Sequence, residues 1–236
     1  MQASGRREPL RLCGPHVPVR GARVPERPGL RRPPLLLMTR ARREPRADHD
    51  LGIHTTRAVP CAALGIAGPN AVHASPYEPT PFGVLDDLLC GLGLELPRYT
   101  FVDLGSGKGR VICLAAGLPF RGVLGIELSP ALHAAAEANL AALPASWRRA
   151  RSVRSVCADA AEHPIPAGPT VYFLFNPFAA SVLARVVARI EAAHADDPAD
   201  RLVLYYMPVH RDVLDRSALL GLHSSSRDWL IYRSQA

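Results

Sequence analysis

The sequence predicts a doubly wound α/β fold: a mostly parallel sheet with helices on both faces and an antiparallel pair of strands at one edge. Three observations predict it. From residue 80 onward, short apolar runs alternate with segments of helical period, the pattern of strands joined by crossover helices. One run passes into a helix through the glycine loop of "FVDLGSGKGRV", residues 101–111. Several runs also end on an acid or amide, at the carboxyl edge where parallel sheets place their ligand crevice.

The charge is unevenly placed. Net charge is +7, but residues 1–46 hold twelve arginines and three glutamates, a balance of +9, so residues 47–236 carry +7 minus +9, or −2. The basic pI therefore belongs to the first segment, and nucleic acid is expected as a partner only through it. That segment has eight prolines and no sustained apolar period, so it buries too little surface to offset ordering entropy. Residues 1–46 are read as a disordered Arg/Pro-rich extension, with Met38 an alternative start, and residues 47–236 as one domain. No stretch approaches the roughly 20 apolar residues of a membrane span, so no membrane partner is expected. Five cysteines without a C-x-x-C pair suit reduced thiols in a cytoplasmic protein, with neither a disulfide frame nor a metal site.

The elements follow in order. "TPFGVLDDLLCGLGL" sets Leu85, Leu88, Leu89 and Leu92 on one helical face, with Thr80 as N-cap and Pro81 in the first turn. "YTFVDL" is a strand, followed by a helix from about Arg110 and the strand "GVLGIE". Ser129 and Pro130 then open the helix "ALHAAAEANLAAL" with a cap-then-proline signal. The strands "SVRSVC" and "TVYFLF" precede "SVLARVVARIEAA", whose Val182, Val186, Val187 and Ile190 share a face. "RLVLYYM", a short helix, a turn at Gly221 and "DWLIYRS" complete the sheet.

The glycine loop narrows the ligand. Glycines at 105, 107 and 109 permit positive φ and close approach to the backbone. A phosphate loop needs G-x-x-x-x-G-K-[ST], and here Val102 and Gly109 occupy two required positions. A dinucleotide loop wants G-x-G-x-x-G, and Asp103 would set a negative charge beside a pyrophosphate. A carboxylate there suits a ligand that presents a cation. S-adenosylmethionine does so with its ammonium and sulfonium, and its ribose hydroxyls suit Glu127, 18 residues after Gly109 at the end of the next strand. Lys108, His54, Thr55 and Thr56 are read as structural or solvated.

Together, "VDLGSGKGR", "GIELS", "VCADA", "LFNPF" and "YEPTP" resemble the class I, seven-strand S-adenosylmethionine-dependent methyltransferases, over about residues 48 to 236. The resemblance implies a Rossmann-like methyltransferase fold and a cofactor site of Asp103, Gly105, Ser106, Gly107, Gly109 and Glu127. It also implies an adenine contact at Asp159, and Tyr77 with Thr80 closing over the methionine end. Asn176 would align the acceptor, with Pro177 stiffening its loop and Phe178 forming an apolar wall. The segments "LGIHTT", "YEPTPFGVLDDLL" and "PFRGVLGIELSPAL" are similar to an uncharacterised bacterial group, with some likeness to seven-strand protein-lysine methyltransferases. "NPF" departs from the [ND]-P-P-[YF] of enzymes acting on adenine or glutamine. The expected acceptor is a protein lysine or another amine, in a protein or small molecule. A non-catalytic adenosyl-binding module and a nicotinamide-dependent oxidoreductase remain open alternatives, and no general base is selected.

Overall fold

The computed structural model describes residues 17–18, 44–66 and 73–235. The expectation of disorder over 1–46 falls almost wholly on residues outside these. The strands are β1 (Val17–Pro18), β2 (Thr100–Leu104), β3 (Gly122–Glu127), β4 (Val153–Cys157), β5 (Thr170–Leu174), β6 (Arg201–Tyr206), β7 (Leu220–Ser225) and β8 (Trp229–Ser234). The helices are α1 (Glu44–Leu51), α2 (Val84–Leu89), α3 (Arg110–Ala116), α4 (Pro130–Ala142), α5 (Ala180–Asp196) and α6 (Arg211–Asp215). α1 runs across the expected domain boundary between residues 46 and 47.

All strands join one sheet in the order β1-β7-β8-β6-β5-β2-β3-β4. Strands β2 to β6 are parallel, while β8 runs antiparallel to both β6 and β7. The seven long strands are thus the predicted sheet with its antiparallel pair at one edge. The reversed strand β8 lies one place in, and the two-residue β1 pairs outside β7.

Strand alternation explains why helices cover both faces. Phe101, Val123, Val171, Phe173 and Leu202 join a cluster with Leu85, Leu88, Val111, Ile112 and Leu140 from α2, α3 and α4. Their neighbours Val102, Leu124, Tyr172, Leu174 and Val203 join Val182, Leu183, Val186, Val187 and Ile190 of α5 and Val213 and Leu214 of α6. Each such fully buried large apolar side chain contributes about 1.5–3 kcal/mol, an upper estimate.

Two local expectations are corrected. α2 begins at Val84 behind Gly83, at φ +89°, rather than behind Thr80. Pro81 to Val84 first forms a turn, closed by the Val84 N–H donating to the Pro81 carbonyl, and the Thr80 carbonyl is bonded elsewhere. Gly221 lies inside β7, not in a turn. Ser129 does cap α4, its Oγ accepting from the Leu132 N–H at 3.3 Å with Pro130 at the first helical position. Cys90 and Cys113 are buried and Cys61 and Cys157 exposed. Among the described residues no helix is long and apolar enough to cross a membrane.

Candidate adenosyl-ligand cleft

The carboxyl ends of β2, β3, β4 and β5 open into a cleft of about 890 Å³, its mouth included. The register sets these ends level: Leu104 lies beside both Ile126 and Leu174, and Glu127 beside Cys157. Asp103, Gly105, Ser106 and Gly107 line the cleft with Glu127, Asp159 and Asn176, and Tyr77 and Thr80 enter from an earlier segment. Gly109 is the exception. It caps α3 in a left-handed conformation, and a Cβ there would lie 3.0 Å from the Ala136 Cβ, so it serves the packing of α3 on α4.

Glu127 holds the floor of the loop together. Its Oε2 accepts from the Gly107 N–H at 2.7 Å and its Oε1 from the Ser129 N–H at 2.8 Å. A carboxylate offers about four acceptor positions, so capacity for a ligand hydroxyl remains beside these bonds and that of the Leu128 N–H. Burial raises its pKa against the lowering effect of those N–H bonds. Asp103 is 3 % exposed. Burial first, and the Glu127 charge second, push its pKa well above the usual carboxylate range. The Ser106 hydroxyl is buried without a hydrogen-bond partner among the described residues.

The glycines make room for more than a ligand. A Cβ on Gly105 would stand 2.2 Å from the Pro177 Cβ, and one on Gly107 would stand 2.3 Å from the Tyr77 ring. Both residues have positive φ, +80° and +54°. Two protein segments therefore close on the loop. Residues 73–80 form a strap across the cleft: Ala74 bridges Phe178, the Ser75 N–H donates to the Pro177 carbonyl at 3.3 Å, and Tyr77 bridges Val59. Phe173, Phe175 and Phe178 supply an aromatic wall.

Asp159 has the plainer of its two expected roles, as a cap, and also a place on the cleft. It lines the cleft, while its Oδ1 accepts from the Ala161 N–H at 2.8 Å and so caps the turn after β4. Asn176 has φ +42° and a heavily bonded side chain: Nδ2 donates to the Met207 carbonyl at 2.5 Å, and Oδ1 accepts from the Tyr205 hydroxyl at 2.8 Å and the Val209 N–H at 3.2 Å. Its side chain therefore ties the loop after β5 to the loop after β6. Lys108, expected as a solvated loop lysine, donates to the Arg57 carbonyl at 2.6 Å and lies over the Tyr77 ring.

Arg110 and Asp48 escaped the sequence reading, and Thr55, read there as structural, joins them beside the cleft. Arg110 lines the cleft at 2 % exposure, Thr55 is fully buried, and Asp48 is 5 % exposed. Arg110 Nε donates to Thr55 Oγ1 at 2.6 Å, and Nη2 stands 3.6 Å from Asp48 Oδ2. One signal was present. A cation in the first turn of a helix opposes the macrodipole, so Arg110 there calls for a compensating acid.

Among solved structures the chain is similar to the inferred methyltransferase yhhF from Escherichia coli, at 21% identity over 68% of this chain and 90% of that one, with a TM-score of 0.51. The chain has the class I methyltransferase fold. More distant likenesses include a TehB-like S-adenosylmethionine-dependent methyltransferase from Corynebacterium glutamicum, at 17% identity over 58% of this chain and 79% of that one with a TM-score of 0.41. Another is a ribosomal protein L11 methylase from Lactobacillus delbrueckii subsp. bulgaricus, at 17% identity over 58% and 69% with a TM-score of 0.39. No family model and no curated protein matches the chain.

Proposed function

We propose that the chain is an S-adenosylmethionine-dependent methyltransferase acting on an amine, a protein lysine being one candidate. The observation that carries the reading is the Ser106 hydroxyl, buried and unpartnered among the described residues, on the same cleft as the buried carboxyl groups of Asp103 and Glu127. Leaving such a hydroxyl unbonded costs on the order of 1–3 kcal/mol, a cost that a hydrogen-bonding ligand removes, and the two acids suit one with an ammonium and vicinal hydroxyls.

When bound, S-adenosylmethionine supplies a methyl group on an electrophilic sulfonium. Asp103 would face its ammonium, Glu127 the ribose and Asp159 the adenine amino group. Tyr77 and Thr80, on the strap, would exclude water from the methionine end. The remainder is proximity and alignment, since displacement at a methyl carbon needs little covalent help. An acceptor amine must arrive neutral, and the wall of Phe173, Phe175 and Phe178 favours that form by desolvation. The charge of the lining supports an amine over an anionic acceptor: Asp103, Glu127, Asp159 and Glu78 stand there, and Arg110 is faced by Asp48. Asn176 is proposed to align the acceptor by fixing the rim between β5 and β6.

Calorimetric titration with S-adenosylmethionine, S-adenosylhomocysteine and NADH tests the reading. The two adenosyl amino acids are expected to bind and NADH not to. Incubation of lysate proteins and amines with isotopically labelled methyl donor is then expected to transfer label. Tight NADH binding, or cofactor binding without transfer to any acceptor fraction, would sink the proposal.

A further inference from the structure

The polar cluster beneath the strap bonds to the strap at two places. Arg110 Nη1 donates to the Thr80 carbonyl at 2.9 Å, and the Tyr77 hydroxyl donates to the Thr55 carbonyl at 2.7 Å. Thr55 is itself held by Asp48, whose carboxylate accepts from the Thr55 N–H at 2.8 Å, the Thr55 hydroxyl at 2.8 Å and the Thr56 hydroxyl at 2.6 Å. The Phe82 ring, just past the strap, covers the guanidinium with its centroid 4.5 Å away.

We infer that Arg110 is a positioning residue that locks the strap over the cleft and links helix α1 to ligand retention. The geometry needs a fork. Nε reaches Thr55, Nη1 reaches Thr80 and Nη2 faces Asp48, three directions that a planar guanidinium serves at once and an ammonium does not. The strap's other end rests on the backbone bonds of Ser75 to Pro177 and Ala179 to His73, with the Cys61 thiol donating to the Ala74 carbonyl at 3.6 Å. The Arg110 and Thr55 anchors therefore decide whether residues 77–80 stay seated on the glycine loop. Arg110 acts through Thr80 and Tyr77, and it also sets the position of Asp103's loop because it is the first residue of the helix that follows.

The test reads the strap directly, apart from any ligand. In Arg110→Lys, the amides of Ser75 and Tyr77 are expected to exchange hydrogen at least about tenfold faster, with the amides of β5 and β6 unchanged. In Thr55→Val, which removes the hydroxyl that Nε reaches and keeps the side chain's shape, the same acceleration is expected. Thr55→Ser should restore wild-type protection. The part of the inference that concerns retention rests on the adenosyl reading, and there the dissociation rate of S-adenosylhomocysteine should rise about tenfold in both loosened variants. Strap amides that stay protected in folded Arg110→Lys and Thr55→Val proteins would overturn the positioning role. A loosened strap with an unchanged dissociation rate would overturn the link to retention. A loosened strap in a protein that binds no adenosyl ligand would uphold Arg110 as the strap's anchor and overturn the proposed function instead.

Discussion

Asp103 and Glu127 are two acids in one cleft, and burial with the charge of Glu127 sets the pH behaviour of Asp103. Asp103 titrates well above its ordinary 3.8, chiefly through burial. The native state therefore holds a proton that the unfolded chain has lost, so its stabilising contribution is complete below 3.8 and declines as pH rises through the raised native value. Asp103→Asn should accordingly stabilise the ligand-free protein at neutral pH, measured by thermal denaturation. A cationic ligand reverses the balance by favouring the ionised acid. Its binding should release a proton and tighten as pH rises across the same window, seen as a buffer-dependent heat in calorimetry. Proton release that survives Asp103→Asn would assign the proton to Glu127. Glu127→Ala should weaken S-adenosylmethionine at least tenfold, by about 1.5–3 kcal/mol for each charged hydrogen bond lost. It should also lower stability, because the Gly107 and Ser129 N–H groups lose their acceptor. Unchanged affinity in a folded variant would displace the ribose from Glu127. Both acids were legible in the sequence because each ends a strand beside a glycine loop. Arg110 was not, since its partners Thr55 and Thr80 lie 55 and 30 residues away and no local pattern connects them.

Among elements, those with a strong period were legible and those set by long-range bonds were not. The buried face of α5 follows from its apolar spacing, and Ser129–Pro130 marked the start of α4. Thr80–Pro81 offered the same local signal, but Arg110 takes the Thr80 carbonyl and the chain turns once more before α2. α1 carries little apolar character beyond Leu51, which joins the core, and its other contribution is Asp48, which accepts from three donors on Thr55 and Thr56 and faces Arg110. A chain beginning at Arg40 keeps α1 whole and should match the full chain in melting temperature. A chain beginning at Gly52 lacks Asp48 and leaves a buried guanidinium without its acid, a loss of about 3–5 kcal/mol. For a domain of this size that is a fall on the order of ten degrees. Equal melting temperatures for the two truncations would show that Asp48 contributes nothing net.

For the molecule as a whole, the strand order that places β2 between β3 and β5 brings the four site-bearing strand ends together, and only the seams between loops finish the cleft. The seam between β5 and β6 depends on Asn176. Two non-glycine residues with left-handed backbones face each other there, Asn176 at φ +42° and Met207 at φ +47°, and three hydrogen bonds from one amide side chain join them to Tyr205 and Val209. Asparagine tolerates that conformation better than most residues. Asn176→Ala deletes the bonds and strains the backbone, whereas Asn176→Gly deletes the bonds and relieves the strain, so comparing them separates the two effects. If the seam shapes the acceptor's rim, both variants should lower kcat and kcat/KM together by about tenfold or more, with S-adenosylhomocysteine affinity kept. Alanine should also cost about 1 kcal/mol or more of stability beyond glycine. Loss of cofactor affinity with turnover intact at saturation would instead move Asn176 into the cofactor pocket. Wild-type values of both would reduce the seam to a turn, with the acceptor then aligned from the strap side, where Tyr77 and Phe178 meet the cleft.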